Sequence, residues 1–142
     1  MYRNEQAAHG RTAAVDVFVY GTLTDGEQVA RVVSAFEFRG EAVPEGLHRI
    51  DGAYPTLAPG GEASGRLLRT ADIEALDAYE GVDRGLYVWV SVPLANADGE
   101  AAVYVGDLSP LNAGAEWPGK GSFAGRVERY VRERGVVVRR VE

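Results

Sequence analysis

Two parts of this sequence carry residue types that could bind an anion and move a proton. The first is Tyr20-Gly21-Thr22-Leu23, which ends an apolar, strand-like stretch over residues 15–20. A glycine directly after a buried strand lets the chain turn sharply, so that successive backbone N–H groups can point at one spot. Such a group of amides binds a carboxylate or an oxyanion. The alternative is a structural turn, in which Thr22 or Thr24 merely caps the next helix.

The second part is the carboxyl group of Glu80, at the end of a helix predicted over residues 71–80. Ile73, Leu76 and Glu80 fall on one face of that helix, which we expect to be buried. Glu80 also lies in the last turn, where the helix dipole disfavours a negative charge. Burial and the dipole both raise the pKa of a carboxyl group towards the range that suits general acid–base catalysis.

Two alternatives to this interpretation of Glu80 stay open. Its side chain could turn outward and pair with Arg84, which would make it an ordinary surface carboxylate. Asp77, one turn earlier, is a competing carboxylate. The burial expected for the face that Glu80 shares with Leu76 favours Glu80.

The composition excludes several other kinds of site. The chain has no cysteine, so disulfides, thiolate nucleophiles and cysteine-rich zinc sites are ruled out. His9 and His48 have no histidine or glutamate partner at the spacing of helical metal ligands, and we predict no metal site. The turn at Gly21 lacks both the Walker-type and the G-x-G-x-x-G phosphate-binding patterns.

Charge and hydropathy limit the partners. The net charge of −6 argues against nucleic acid, and the arginines over residues 126–140 alternate with glutamates, as on a solvated helix face. No apolar stretch reaches the ~20 residues of a membrane helix, so no membrane partner is expected.

Residues 1–14 are polar and lack the apolar centre of a signal peptide. We expect a cytoplasmic protein with a flexible extension over residues 1–14 and a single domain over residues 15–142. Nothing in the sequence selects an oligomeric state.

The elements around the two parts are predicted from periodicity and turn residues. Strands are expected over residues 15–20, 63–69 and 136–138, and a hairpin joins residues 86–93 to 100–105 through Asn96-Ala97-Asp98-Gly99. Residues 36–50 read as β-like pieces broken by Gly40, Pro44 and Gly46, residues 51–61 as a loop or irregular edge, and residues 109–121 as a loop.

Three helices are predicted between these strands. The first is capped by Thr24 or Asp25, the second runs to Gly81, and the third opens at Ser122 and stops at Gly135. The apolar faces of the first and third helices carry, respectively, Val29, Val32 and Val33, and Phe123, Val127, Tyr130 and Val131. Many strands with few, short helices predict an α+β fold with a curved or closed sheet rather than a doubly wound one.

Three ordered blocks carry a resemblance to a known family. They are Val17-Phe18-Val19-Tyr20-Gly21-Thr22-Leu23, then Tyr54-Pro55-Thr56-Leu57, then Leu76-Asp77-Ala78-Tyr79-Glu80-Gly81 followed by Tyr87. Together they resemble the gamma-glutamylcyclotransferase family, also described as AIG2-like, over roughly residues 15–105. The resemblance implies a small mixed β-barrel flanked by short helices.

The resemblance also implies a site. Glu80 would be the catalytic acid/base, and the substrate-binding residues would be Tyr20, Gly21, Thr22, Leu23, Tyr54, Tyr87 and Tyr104, with the turn cradling the γ-glutamyl group. Relatives often carry arginine at the position of Trp89, so the outer part of the substrate site is where this chain departs from the family pattern.

The implied reaction converts a γ-glutamyl amine or γ-glutamyl amino acid to 5-oxoproline and a free amine. The substrate's own amine is the nucleophile, which suits a chain without cysteine, and the reaction requires no metal or organic cofactor. The expected partner is thus a small-molecule γ-glutamyl substrate. The alternative is a non-catalytic module that binds a small carboxylate in the same pocket.

Overall fold

The computed structural model describes residues 14–51, 55–95, 97–107 and 117–141. Within these ranges the strands are β1 (Val15–Val19), β2 (Glu37–Glu45), β3 (Leu47–Ile50), β4 (Thr56–Pro59), β5 (Gly65–Thr70), β6 (Tyr87–Pro93), β7 (Glu100–Gly106) and β8 (Val137–Arg140). The helices are α1 (Gly26–Val32), α2 (Ile73–Glu80) and α3 (Phe123–Arg134). Two short 3-10 turns span Thr22–Thr24 and Val82–Arg84.

Six of the strands form one mixed sheet in the order β6-β7-β1-β5-β2-β8. β1 runs parallel to β7 and antiparallel to β5, and the other neighbours in the sheet are antiparallel. β3 and β4 form a separate antiparallel pair. A bridge between Leu94 and Val138 links the two edges of the large sheet, which is thereby curved into a half-barrel. The α+β fold with a small mixed barrel and short flanking helices is confirmed.

The side chains of β1 show how the sheet is packed on both faces. Phe18 belongs to the apolar cluster that α3 covers through Val127 and Val131. Val17 and Val19 point to the opposite face, in the cluster that includes residues of α1 and α2. Because β1 is buried on both sides, its carboxyl end is held rigidly, and the turn that follows starts from a fixed point.

The predicted boundaries agree closely with this structure near the site. β1 ends one residue earlier than predicted, and α2 ends at Gly81, whose φ of 75° is the left-handed conformation of a helix C-cap. The predicted hairpin is the antiparallel pair β6–β7. Ser122 caps α3 through its side chain, and Gly135 ends it.

Two predictions about strands were wrong. Pro44 does not break β2, because β2 pairs with β5 only as far as Ala42, and Pro44 faces β8 alone. A proline is tolerated where one side of a strand is unpaired. Part of the stretch predicted over residues 51–61 as a loop or irregular edge is the regular strand β4, which pairs with β3 despite its neighbouring glycines and prolines.

Several predictions lie outside the described residues. These are nearly all of the extension over residues 1–14, the residue Asn96 of the hairpin loop, and most of the loop over residues 109–121. The division into an extension and a single domain stays a prediction. Across the described ranges, the longest helix is too short and too polar to cross a membrane.

The close approach of β5 to β1 depends on Gly65, and this gives a test of the packing. A β-carbon at position 65 would overlap the carbonyl oxygen of Val19 and lie 2.7 Å from Phe18 Cζ. We expect Gly65→Ala to lower the free energy of unfolding by about 1–3 kcal/mol, as overpacking does in other cores. Urea denaturation measures the change.

Gly26→Ala is the matched control, since a β-carbon at that helical position would meet only Phe38 Cε2, at 3.5 Å. It is expected to be neutral or stabilising by about 0.5 kcal/mol. Equal stability of the two variants would contradict the packing described for β1 and β5.

Candidate active site

A cavity of about 350 Å³ opens where β1 ends, beside the last turn of α2 and the start of β6. Its lining comes from the Tyr20–Leu23 turn, from both sides of Gly81, from Pro55 and from three strands of the sheet, β1, β6 and β7. The residues are Phe18, Val19, Tyr20, Gly21, Thr22, Leu23, Pro55, Tyr79, Glu80, Arg84, Leu86, Tyr87 and Tyr104. The structure therefore brings together the two parts of the sequence that were singled out for their chemistry.

Three successive peptide groups of the turn are held by their carbonyl oxygens. Arg49 Nη1 donates to the Tyr20 carbonyl, Thr24 donates to the Gly21 carbonyl from both N (3.1 Å) and Oγ1 (2.8 Å), and Asp25 N donates to the Thr22 carbonyl (3.2 Å). A trans peptide points its C=O and the following N–H in opposite directions. These contacts therefore fix the directions of the N–H groups of residues 21, 22 and 23.

The same turn leaves donors for a ligand. Thr22 and Leu23 begin a 3-10 turn whose N-cap is Gly21, which has no side chain to accept from them. The threonine cap that the structural alternative predicted for the next helix was wrong, because Asp25 caps α1 by accepting from Glu27 N. The hydroxyl of Thr22 instead lies 2.6 Å from the hydroxyl of Tyr79, which ties the turn to α2.

Glu80 lines the same cavity as this turn. It is largely buried on the helix face that also carries the fully buried Leu76, as the spacing predicted. Burial raises the pKa of Glu80 to about 7. Among the described residues its carboxyl group has no salt bridge and no hydrogen bond, and the outward pairing with Arg84 is not found.

Asp77, the competing carboxylate, has a different environment. Its Oδ1 accepts a hydrogen bond of 2.6 Å from the hydroxyl of Tyr104, and Asp77 does not line the cavity. Asp77 therefore positions a wall of the cavity, and Glu80 is the carboxyl group available to a ligand.

The tyrosines of the cavity are held by their hydroxyl groups. Tyr20 donates to the Tyr104 carbonyl (2.6 Å) and Tyr87 donates to the Pro55 carbonyl (2.5 Å). Burial, with the charges nearby, raises the pKa of Tyr20 and of Tyr104 well above the usual value. Both phenols are therefore neutral near pH 7 and serve as rigid walls.

The predicted site residues can now be placed. Glu80, Tyr20, Gly21, Thr22, Leu23, Tyr87 and Tyr104 line one cavity, and Tyr54 lies outside the described residues. Trp89 lines a separate cavity and packs edge-on against Tyr104, with the ring centroids 5.7 Å apart.

Sequence reasoning missed three contributors to this region. Tyr79 directly precedes Glu80, and its place in the same helical turn was a usable signal. Arg84 entered the sequence analysis only as a partner for Glu80. Arg49 lies in β3, far along the chain from Tyr20, and no local pattern could have linked it to the turn.

No metal site is apparent among the residues that the structure covers, since no group of three or more ligating side chains comes together there. His48 is exposed on β3 with Nδ1 3.0 Å from the Gly60 carbonyl oxygen. His9 is outside the described ranges.

The pKa of Glu80 makes stability depend on pH in a defined direction. Since the folded pKa is about 7 rather than 4.5, the folded state holds a proton that the unfolded state releases, and stability falls as the pH rises from 4.5 to 7. The loss is on the order of 3 kcal/mol. We expect Glu80→Gln to be more stable than the wild type at pH 8, with the difference disappearing below pH 4.5.

Thermal unfolding of both proteins across this pH range measures the effect. Glu74→Gln, at an exposed position of the same helix, is the matched control. A constant difference between Glu80→Gln and the wild type at all pH values would show that burial does not act on this carboxyl group.

Comparison with known proteins agrees with this geometry. The sequence profile of the family described as "Gamma-glutamyl cyclotransferase, AIG2-like" matches residues 17–121, a range that holds both the turn and Glu80. No curated protein matches the chain.

Solved structures share the fold at low identity. One described as "Gamma-glutamyl cyclotransferase" aligns with a TM-score of 0.54 and 19% identity, covering 65% of this chain and 66% of that one. A protein from Arabidopsis thaliana aligns with a TM-score of 0.54 and 24% identity, covering 86% and 85%. An uncharacterized protein from Pyrococcus horikoshii aligns with a TM-score of 0.52 and 20% identity, covering 85% and 95%. From the profile match, which spans most of the sequence, the chain belongs to the AIG2-like gamma-glutamyl cyclotransferase family.

Proposed function

We propose that this protein is a cyclotransferase that converts a γ-glutamyl amine or γ-glutamyl amino acid to 5-oxoproline and a free amine. One observation carries the proposal: the carboxyl group of Glu80 is largely buried, forms no salt bridge or hydrogen bond with the described residues, and shares a cavity with an oriented turn of backbone amides. Membership of the family supports the same reaction.

In the first step the substrate's α-amine attacks its own δ-carbonyl carbon. A C–N bond forms, a five-membered ring closes, and the carbonyl oxygen takes the negative charge. The nucleophile is the neutral amine, whose nitrogen becomes positively charged as the C–N bond forms, and Glu80 in its ionised form accepts one proton from that nitrogen. Since the pKa of Glu80 is about 7, a substantial fraction of the carboxyl groups is ionised near neutral pH.

In the second step the ring intermediate expels the leaving amine. The C–N bond to that amine breaks as the carbonyl re-forms, and Glu80 returns the proton to the departing nitrogen. One carboxyl group of raised pKa thus serves both steps, and the atoms and charges balance without a protein nucleophile.

The rest of the cavity orders the substrate. A cavity of about 350 Å³ walled by Tyr20, Tyr87 and Tyr104 is small enough to hold the flexible glutamyl chain folded for attack. Well-oriented intramolecular reactions reach effective molarities of ~10⁵ M or more. The amides of Gly21, Thr22 and Leu23 are the donors for an anionic group, which is either the developing oxyanion or the substrate carboxylate. Loss of one oxyanion donor costs roughly 3 kcal/mol in other enzymes.

A non-catalytic module that binds a small carboxylate would use the same turn and walls. It would not need a buried carboxyl group without a partner, since a buried negative charge weakens the binding of an anion. The largely buried carboxyl group of Glu80, which has no ion pair or hydrogen bond among the described residues, therefore favours the catalytic function over the binding module.

The function is tested with wild-type protein and Glu80→Gln, which keeps the size of the side chain and removes the proton-transfer group. Both are incubated with a panel of γ-glutamyl amino acids and γ-glutamyl amines, and 5-oxoproline is measured by mass spectrometry. We expect product from the wild type and a loss of at least about 10³-fold in Glu80→Gln, in line with the effect of general acid–base catalysis.

Glu74→Gln controls for the loss of a glutamate from the same helix and is expected to retain full activity. Turnover by Glu80→Gln at the wild-type rate would eliminate the mechanism. Binding of γ-glutamyl compounds without any product from the wild type would favour the binding module.

A further inference from the structure

We propose that Arg84 recognises a carboxylate on the leaving amine, so that the preferred substrates are γ-glutamyl amino acids or peptides rather than uncharged γ-glutamyl amines. This inference rests on the proposed function, because it concerns the outer part of the same site. Among the described residues that line the cavity containing Glu80, Arg84 is the cation. Within the described ranges its guanidinium group forms no salt bridge and no hydrogen bond.

The backbone on which Arg84 sits is closely defined. Arg84 ends a short 3-10 turn between two glycines in the left-handed conformation, Gly81 (φ 75°) and Gly85 (φ 74°). Hydrogen bonds from Arg84 N (3.0 Å) and Leu86 N (3.1 Å) to the Gly81 carbonyl close this turn. A β-carbon at position 81 would lie 2.9 Å from Arg84 Nη2, so the guanidinium group folds back over the residue that follows Glu80.

Arg84 and Glu80 share the cavity without pairing. Their charged groups are not within salt-bridge distance, and burial is the cause that raises the pKa of Glu80. An arginine without an ion pair among the described residues is available for an anion brought by a ligand, and its planar group suits the two oxygens of a carboxylate.

The depth of the two groups indicates which carboxylate Arg84 meets. Glu80 is largely buried, whereas Arg84 is exposed at the mouth of the cavity. The glutamyl group is the terminal group of the substrate. It therefore enters the cavity first and lies beside Glu80. The leaving amine extends outward, and a carboxylate on its α-carbon comes to the mouth. An uncharged amine has nothing there for Arg84 to bind.

The test compares two substrates that differ only in this group, γ-glutamylalanine and γ-glutamylalaninamide. We expect the wild type to favour the free carboxylate by on the order of tenfold in kcat/KM, the low end for a charge-assisted contact because Arg84 is exposed. Arg84→Gln should remove the preference by raising KM for γ-glutamylalanine alone, and Arg84→Lys should restore part of it. Arg39→Gln, an exposed arginine outside the cavity, should behave like the wild type.

Binding to Glu80→Gln, measured by calorimetry, tests the same preference without turnover. Tighter binding of γ-glutamylalanine that is lost in the Arg84→Gln double variant supports the inference even if the wild type forms no product, in which case only the proposed reaction fails. Equal use of both substrates by the wild type overturns the role of Arg84. So does an equal loss for both substrates in Arg84→Gln, which would place Arg84 on the glutamyl part.

Discussion

The burial of one carboxyl group without a partner is the constraint on which this site depends. Taking the charge of Glu80 out of water is unfavourable, and the protein does not compensate it with a cation or a hydrogen bond from the described residues. The fold tolerates the cost because Leu76, on the same helix face, is fully buried against the sheet and holds α2 in place. The ionised form of Glu80 lowers the free energy of unfolding. The same burial gives this carboxyl group a pKa near 7, which suits a proton acceptor.

The tyrosine hydroxyl groups around that carboxyl group already form hydrogen bonds within the protein. The Tyr104 hydroxyl donates to Asp77, the Tyr87 hydroxyl to the Pro55 carbonyl, and the Tyr20 hydroxyl to the Tyr104 carbonyl. The backbone carbonyl of Tyr20 accepts from Arg49. These bonds join the turn after β1 to β3 and β7, α2 to β7, and β6 to the residue before β4, so a fixed cavity is built from segments that are far apart in sequence. Among the described residues, the groups left for a ligand are a carboxyl group and the amides of the turn, which the proposed reaction needs, and one arginine at the mouth, which the proposed substrate preference needs.

The turn and Glu80, at the centre of the site, could be predicted from the sequence, but the contacts that hold them in place could not. The strand that ends at Tyr20-Gly21 and the helix face that carries Glu80 are local patterns with periods of two and 3.6 residues, so the chain shows them directly. The role of Asp77 could not be predicted, because its partner Tyr104 lies on a distant strand. The glycines and prolines of residues 51–61 predict a loop or irregular edge where β4 lies, because the strand character of β4 comes from its pairing with β3. Tertiary contacts of this kind leave no local pattern.

The most direct test of the central claim is the pH dependence of kcat/KM for 5-oxoproline formation by the wild-type protein. If Glu80 is the base, activity should rise with pH on an acid limb whose midpoint is near 7, because burial raises the pKa of this carboxyl group to about 7. An acid limb with a midpoint near 4.5, the usual value for a glutamate, would contradict the account. It would mean that the carboxyl group in the working enzyme is solvated or paired, and that the proton is carried by another group.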